Sequence, residues 1–284
     1  MGGVFFRRRT VPMVGYDAAT NRWSVTGDAS PVDRDALTVT TFNVWYDGYF
    51  ADERYRAIAT LLSRETPDVM VFQEMTPPAL EILQAQPWIR EHYRCAAVVG
   101  GRAGNYGLVM FSRLPTARVI HSRLPSRPTR RSRGMLLAEF AVNGRPLAIC
   151  SLHLDSGKGR ARLRGRQLRR VFRALRSADD AIVLGDFNMR DSENTRITLP
   201  YYDVWPTLRP HHDGFTEDTS INTMRLDSKN KHTQVRFDRV LLKGPAWSAD
   251  SIDLLGAEPI SSAHPRVFPS DHFGVKCCLV RRRA

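Results

Sequence analysis

The sequence is poor in cysteine, poor in lysine and free of long apolar runs. Its four cysteines are Cys95, Cys150, Cys277 and Cys278. None forms a Cys-x-x-Cys pair, so neither a zinc knuckle nor a dithiol redox motif is indicated. Cys277 and Cys278 are adjacent in a strand-like run, where neighbours face opposite sides of a sheet. Four reduced, partly buried thiols are expected, as in a cytosolic protein. No stretch approaches the roughly 18 consecutive apolar residues of a membrane span. The opening MGGVFFRRRT has too few apolar residues before Arg7 for a secretory signal. An intracellular protein, not secreted and with no membrane partner, is expected.

Lysine supplies only five of the 42 basic residues, against 29 acids, and the net charge is +13. Arginine-rich codon usage accounts for the choice of base and not for the excess. The excess is local. Between Arg113 and Arg176 there are 17 bases and two acids, Glu139 and Asp155, while the rest of the chain holds 25 bases and 27 acids. Charge so concentrated creates a positive field that attracts polyanions, nucleic acid above all.

Residues 1–35 show little periodicity and read as a loosely ordered N-terminal arm or an edge element. From Leu37 the chain becomes regular and reads as one large domain, 36–284, with no clean internal boundary. β-branched and apolar runs predict strands at 37–45, 68–74, 93–99, 107–113, 117–122, 135–142, 146–154, 181–184, 236–243 and 273–280. Asn143-Gly144 predicts a hairpin turn. Helices are predicted over 52–64, capped by Asp52, from Pro77 through Leu83, and over 160–177. In the last, Leu168, Val171, Phe172 and Leu175 mark the buried face, and eight arginines cover the others. Hairpins among the strands argue for mixed sheets in an α/β domain. Residues 189–235 are polar and irregular.

Several apolar strands stop at a polar residue suited to metal or phosphate chemistry. Asn43 follows TTF, Glu74 follows VFQ, and His153 sits in SLHLD. Asp186 and Asn188 sit in GDFN, Asp238 in RFDRV, and Asp271 and His272 in SDH. Any one alone is an ordinary solvated strand end. Together they can gather at one rim of a sheet, where ligands of layered α/β folds collect. Carboxylate and amide oxygens favour Mg²⁺ or Mn²⁺ over zinc. Two histidines and an Asp beside an Asn complete the inventory for metal-assisted phosphoester hydrolysis.

The ordered set TFN, QE, SLHLD, GDFN and SDH resembles the endonuclease/exonuclease/phosphatase superfamily, from about Leu37 to Val280. PDVMVFQEMTPPALEIL, GDFNMRD, RFDRVLL, SIDLLGAE and VFPSDHFG resemble in particular the 5′-tyrosyl-DNA phosphodiesterases, of the tyrosyl-DNA phosphodiesterase 2 type. The resemblance implies a deoxyribonuclease I-like four-layer sandwich, two packed mixed β-sheets flanked by helices. It implies Mg²⁺-dependent hydrolysis of 5′-phosphotyrosyl, protein-blocked DNA ends in DNA repair, with Mn²⁺ as a substitute metal. Glu74 would be the principal metal ligand, with Asn43 beside the metal and Asp271 near it through water. Asp186 would activate the attacking water and Asn188 position it. His153 and His272 would bind the scissile phosphate, with Asp238 holding His272 in its tautomer. Arg190 would grip a phosphate oxygen.

The chain also departs from the family pattern. Tyr-Thr-Trp-Asp-Thr appears as Phe215-Thr216-Glu217-Asp218-Thr219, and the tyrosine expected before GLVM is displaced by one, with Asn105 in its place and Tyr106 following. The basic loop 123–133 offers Arg127, Arg130 and Arg133 as further substrate contacts, because a loop between strands can reach a ligand. The partner implied is DNA, single-stranded or frayed at a 5′ end carrying a tyrosyl adduct, with no obligate protein partner. Two alternatives remain. One is a phosphodiesterase of the same fold acting on abasic DNA, RNA, nucleotides or a phospholipid headgroup. The other is a non-catalytic nucleic-acid-binding relative, which would gain nothing from a complete set of metal and water residues.

Overall fold

Each apolar run feeds two cores at once, because successive side chains of a strand face opposite ways. In the strand Val69–Met75, Val69 and Val71 share a central core with Ile149, Ile182 and Leu184. Met70 and Phe72 instead meet Ile58 and Leu62 of the helix Ala51–Glu65. In the strand Asp180–Asp186, Ala181 and Val183 turn to Leu168 and Val171 of the helix Ala161–Ala174. The result is two sheets packed face to face with helices outside, the four-layer α/β sandwich expected from the sequence. The computed structural model describes residues 8–27, 29–100, 104–116, 118–126 and 133–282.

One sheet has seven strands, in the order Arg8–Pro12, Arg118–Arg123, Gly134–Val142, Arg145–His153, Asp180–Asp186, Asp238–Lys243 and Tyr202–Asp203. The other has eight, in the order Trp247–Leu255, Gly274–Arg281, Ala36–Asn43, Val69–Met75, Gly107–Ser112, Arg94–Val98, Val14–Asp17 and Arg22–Val25. Both are mixed. Ala36–Asn43 runs parallel to Val69–Met75, and Arg145–His153 parallel to Asp180–Asp186. These four central strands end at one rim, with His153 paired to Asp186 and Asp186 to Asp238.

Several local readings hold. Asn143 and Gly144 turn the hairpin with φ of 54° and 71°. The 77-onward helix is Pro77–Gln84, capped by Thr76, whose side chain accepts from the Ala79 amide. All four cysteines are free, Cys277 buried and Cys278 half-buried. Three readings are corrected. The Ala51–Glu65 helix starts one residue early, from Phe50 with φ 46° and no side-chain cap; Asp52 sits in its first turn, where its charge meets the helix dipole. Residues 8–25 are not the loose arm of the one alternative but the edge element of the other: they form three strands that edge both sheets. A strand at Trp247–Leu255, unread in the sequence, closes the other edge of the eight-stranded sheet.

The basic helix buries Leu168, Val171 and Leu175 as read, but not all its arginines are solvated. Arg164 is fully buried. Its guanidinium donates to both Glu193 carboxylate oxygens and to the carbonyls of Asp155 and Gly157, tying the helix to the loops on either side of it.

Candidate active site

Backbone geometry delivers the polar residues to the rim. Pairing of Val69–Met75 with its antiparallel neighbour slips between Phe72 and Met75, and Glu74 takes φ 58° there. The bulge turns Glu74 out of the sheet and over its edge. Gly185, at φ 144°, lets Arg145–His153 and Asp180–Asp186 close together, since a Cβ there would lie 2.1 Å from the Leu152 carbonyl oxygen. Ser270 donates its hydroxyl to the Asn43 carbonyl at 2.6 Å and accepts from the His272 amide at 3.2 Å, which docks the SDH segment against the end of Ala36–Asn43.

A cavity of 270 Å³ opens at this rim, lined by Asn43, Glu74, Arg133, His153, Asp186, Asn188, Arg190, Asp271 and His272 among others. Another, larger cavity of 590 Å³, lined by Arg145, Asp180 and Trp247 among others, lies at the opposite strand ends. It holds none of the strand-end residues singled out in the sequence, so size does not mark the chemistry here.

Asp186 is the most tightly held group. It accepts from Asn43 Nδ2 at 3.1 Å, from the Asn188 amide at 2.8 Å and from Asn188 Nδ2 at 2.8 Å. Burial alone would raise its pKa, but His153, His272 and Arg133 outweigh that and hold the carboxyl well below its usual range. His153 is the converse. Burial first, then the charge of Arg133, push its pKa down to about 4. Its Nδ1 lies 3.0 Å from Arg133 Nη1. Arginine has no acceptor, so Nδ1 accepts and Nε2 carries the proton. That Nε2 lies 3.2 Å from Asp186 Oδ2, off the line of a hydrogen bond, and is buried without a partner.

His272 is set the other way. Nδ1 meets Asp238 Oδ2 at 2.7 Å, both groups buried. Burial works against its charge, yet Asp238, Asp271 and Asp186 keep it protonated well above the ordinary histidine range. The pair shares a proton that stays on the imidazole, and Nε2 remains to donate.

Glu74 has few partners. The Tyr46 amide approaches at 3.4 Å and His153 Nε2 at 3.9 Å. Burial, then the charge of Asp271, push its carboxyl up to about 7. Asp271 is likewise raised by burial. Buried carboxylates crowded with too few donors form a hard-oxygen site that a divalent cation would relieve. The donor set therefore fits the expected metal.

The structure also gathers residues that the sequence reading did not select. Tyr46, Glu217, Arg225, Lys229 and Lys231 line the same cavity. Tyr46 stacks on Tyr106 with ring centroids 4.8 Å apart, and Arg133 Nη1 donates to the Tyr106 hydroxyl at 3.2 Å. Arg133 is itself buried, so it belongs to the wall of the cavity and not to a reaching loop. Arg127 and Arg130 lie outside the described residues. Glu217, Asp271 and His272 hold ligand atoms within 4.8 Å of one another, a second possible metal cluster. The only earlier signal was Glu217 standing where the family pattern has tryptophan.

A profile of the Endonuclease/Exonuclease/phosphatase family matches residues 40–272, which span every one of these strand ends. The chain belongs to this family. Human tyrosyl-DNA phosphodiesterase 2 is 30% identical over 278 residues, covering 93% of this chain and 73% of the human protein. The Gallus gallus protein of the same name is 31% identical over 238 residues, covering 79% of this chain and 61% of its own. The crystal structure of Danio rerio TDP2 complexed with single strand DNA product superposes with a TM-score of 0.74 at 25% identity, covering 87% of this chain and 99% of that one. As a family member with this likeness, the protein is a phosphodiesterase hydrolase. Among the described residues, no helix is long and apolar enough to cross a membrane.

Proposed function

We propose that this protein is a divalent-metal-dependent phosphodiesterase that hydrolyses 5′-phosphotyrosyl, protein-blocked DNA ends, single-stranded or frayed. The observation that carries the reading is geometric: Glu74, Asp186, Asn188 and two histidines line one cavity, with His153 Nδ1 against Arg133 and His272 Nδ1 against Asp238. The names of the relatives supply the DNA–tyrosyl substrate.

Glu74, with Asn43 and Asp271 beside it, would hold Mg²⁺ or Mn²⁺. Such an ion, when bound, supplies Lewis-acid polarisation of a phosphoryl oxygen. The protein's own groups do the rest. His272 Nε2–H donates to one phosphoryl oxygen and His153 Nε2–H to another, so both stabilise charge that grows in the transition state. Asp186 is ionised and fixed by three hydrogen bonds, with Asn188 closing one side. It accepts a hydrogen bond from the attacking water and orients it. Arg190, with Nη1 buried and unpartnered, offers a further donor to the substrate. Arg133 and Tyr106 back the phosphate side.

The test is a side-by-side assay in Mg²⁺ with 5′-phosphotyrosyl DNA, 3′-phosphotyrosyl DNA, an abasic duplex and a phospholipid. Preferred cleavage of the first is the expected result. Preference for any other substrate overturns the assignment while leaving the phosphodiesterase chemistry intact.

A further inference from the structure

Arg225 stands in the cavity with donors that make no hydrogen bond among the described residues. It lies on the short helix Met224–Lys229, whose position is fixed from several sides. Met224 is buried among Trp45, Val267, Phe268 and Phe273. Asn222 accepts from the Met224 amide at 3.2 Å and donates to the Ser270 carbonyl at 2.7 Å. The helix is thereby tied to the residue that precedes Asp271.

The guanidinium is held by charge alone. Nη1 is 3.4 Å from Asp271 Oδ2 and Nη2 is 3.6 Å from Glu217 Oε2, and neither contact is a hydrogen bond. Nε is buried and meets no acceptor. The side chain is 20% exposed, toward the cavity it lines, and a half-buried cation with unmade hydrogen bonds there invites an acceptor that arrives from outside. Glu217 Oε2 is also 4.0 Å from His272 Nε2, so the arginine and the cationic histidine flank the same carboxylate oxygen and face one space. Lys231 approaches the other Glu217 oxygen at 3.2 Å.

Without Arg225, Glu217 and Asp271 would present two buried carboxylates to an incoming anion. With it, the pair serves as an anchor that fixes a planar fork of donors beside His272. Such a fork matches two oxygens of a phosphate. The same guanidinium already offsets one of the two charges of the Glu217–Asp271 pair that could otherwise bind a second metal ion.

We propose that Arg225 is a phosphate-binding residue of the active site and that Glu217 is its positioning residue. The inference deepens the phosphodiesterase reading and rests on it. The probe is inorganic phosphate, titrated calorimetrically into the full chain in saturating Mg²⁺. Arg225→Gln should weaken phosphate binding by about tenfold to a hundredfold, the loss of a charge-assisted contact. Arg225→Lys should recover part of it, restoring charge without the fork. Glu217→Gln should weaken binding less, and should add nothing in the Arg225→Gln background, because it acts through the arginine. Thermal melts confirm that each variant is folded, and Arg225→Lys serves if Arg225→Gln is not. Wild-type affinity in a folded Arg225 variant, no phosphate binding by the unaltered protein, or a Glu217 effect independent of Arg225 would each overturn the proposal. Phosphate binding that depends on Arg225, with no turnover of 5′-phosphotyrosyl DNA, overturns the substrate assignment and leaves the arginine's role standing.

Discussion

Two buried histidines differ in charge because their surroundings differ: burial and Arg133 act on His153, and the carboxylates of Asp238, Asp271 and Asp186 act on His272. His153 faces the Arg133 guanidinium and stays neutral; His272 faces the Asp238 carboxylate and stays protonated. Asp238→Asn should therefore lower kcat more than it raises KM, as a weaker form of the His272→Ala defect, since it removes the charge that holds the proton. A change in melting temperature with unaltered kcat would mark Asp238 as structural only. Glu74→Ala should cut Mg²⁺-dependent turnover by about 10³-fold or more while the melting temperature stays near wild type, because a bulged strand-end carboxylate supports no core. Near-normal turnover of the purified variant in Mg²⁺ would remove Glu74 from the metal site. These residues were legible because each stands at or beside an end of an apolar strand, which fixes its location at the rim. Tyr46, Glu217 and Arg225 were not, because they lie in a loop, a two-residue strand and a six-residue helix, too short for a periodicity that says which way a side chain faces.

At the scale of elements, the central strands and long helices were readable from alternation and helical spacing, since their partners on both faces are apolar. The strand Trp247–Leu255 escaped because it is an edge with a bulge at Ala249–Ser251 and mostly half-buried side chains. The helix Ala161–Ala174 looked amphipathic in a simple way, and a charged residue on its inner side could not be told from its solvated neighbours. Arg164→Met should destabilise the protein by about 3–5 kcal/mol, because it leaves Glu193 charged, buried and without its main partner. Urea denaturation measures this. The double variant Arg164→Met with Glu193→Leu should recover most of the loss, and failure to recover would show that the backbone contacts to Asp155 and Gly157 matter more than the ion pair.

Across the whole molecule, the positive charge divides into two populations. Arg169, Arg173 and Arg176 are exposed on the outside of a helix and do not line the cavity. Lys229 and Lys231 do line it. Each phosphate contact on a single strand contributes about −0.7 to the log–log salt slope of binding. Alanine at 229 and 231 should flatten that slope for a single-stranded oligonucleotide, whereas alanine at 169, 173 and 176 should change it little. Equal slopes in both variants would mean diffuse attraction with no track for the strand.

The first residues described, 8–25, act on this architecture as a staple. Arg8–Pro12 pairs with Arg118–Arg123 at the end of one sheet, Met13 enters the central core fully buried, and Val14–Asp17 pairs with Arg94–Val98 at the end of the other. The segment's partner strands lie far along the chain, about 80 residues on for Val14–Asp17 and more than a hundred for Arg8–Pro12. While it is unlocked, two hydrogen-bonding edges stand open to other chains. Pulsed hydrogen exchange during refolding should show its amides protected after those of Ala36–Asn43 and Val69–Met75. The clasp that joins the two sheets at their ends is thus also the chain's window of vulnerability to aggregation.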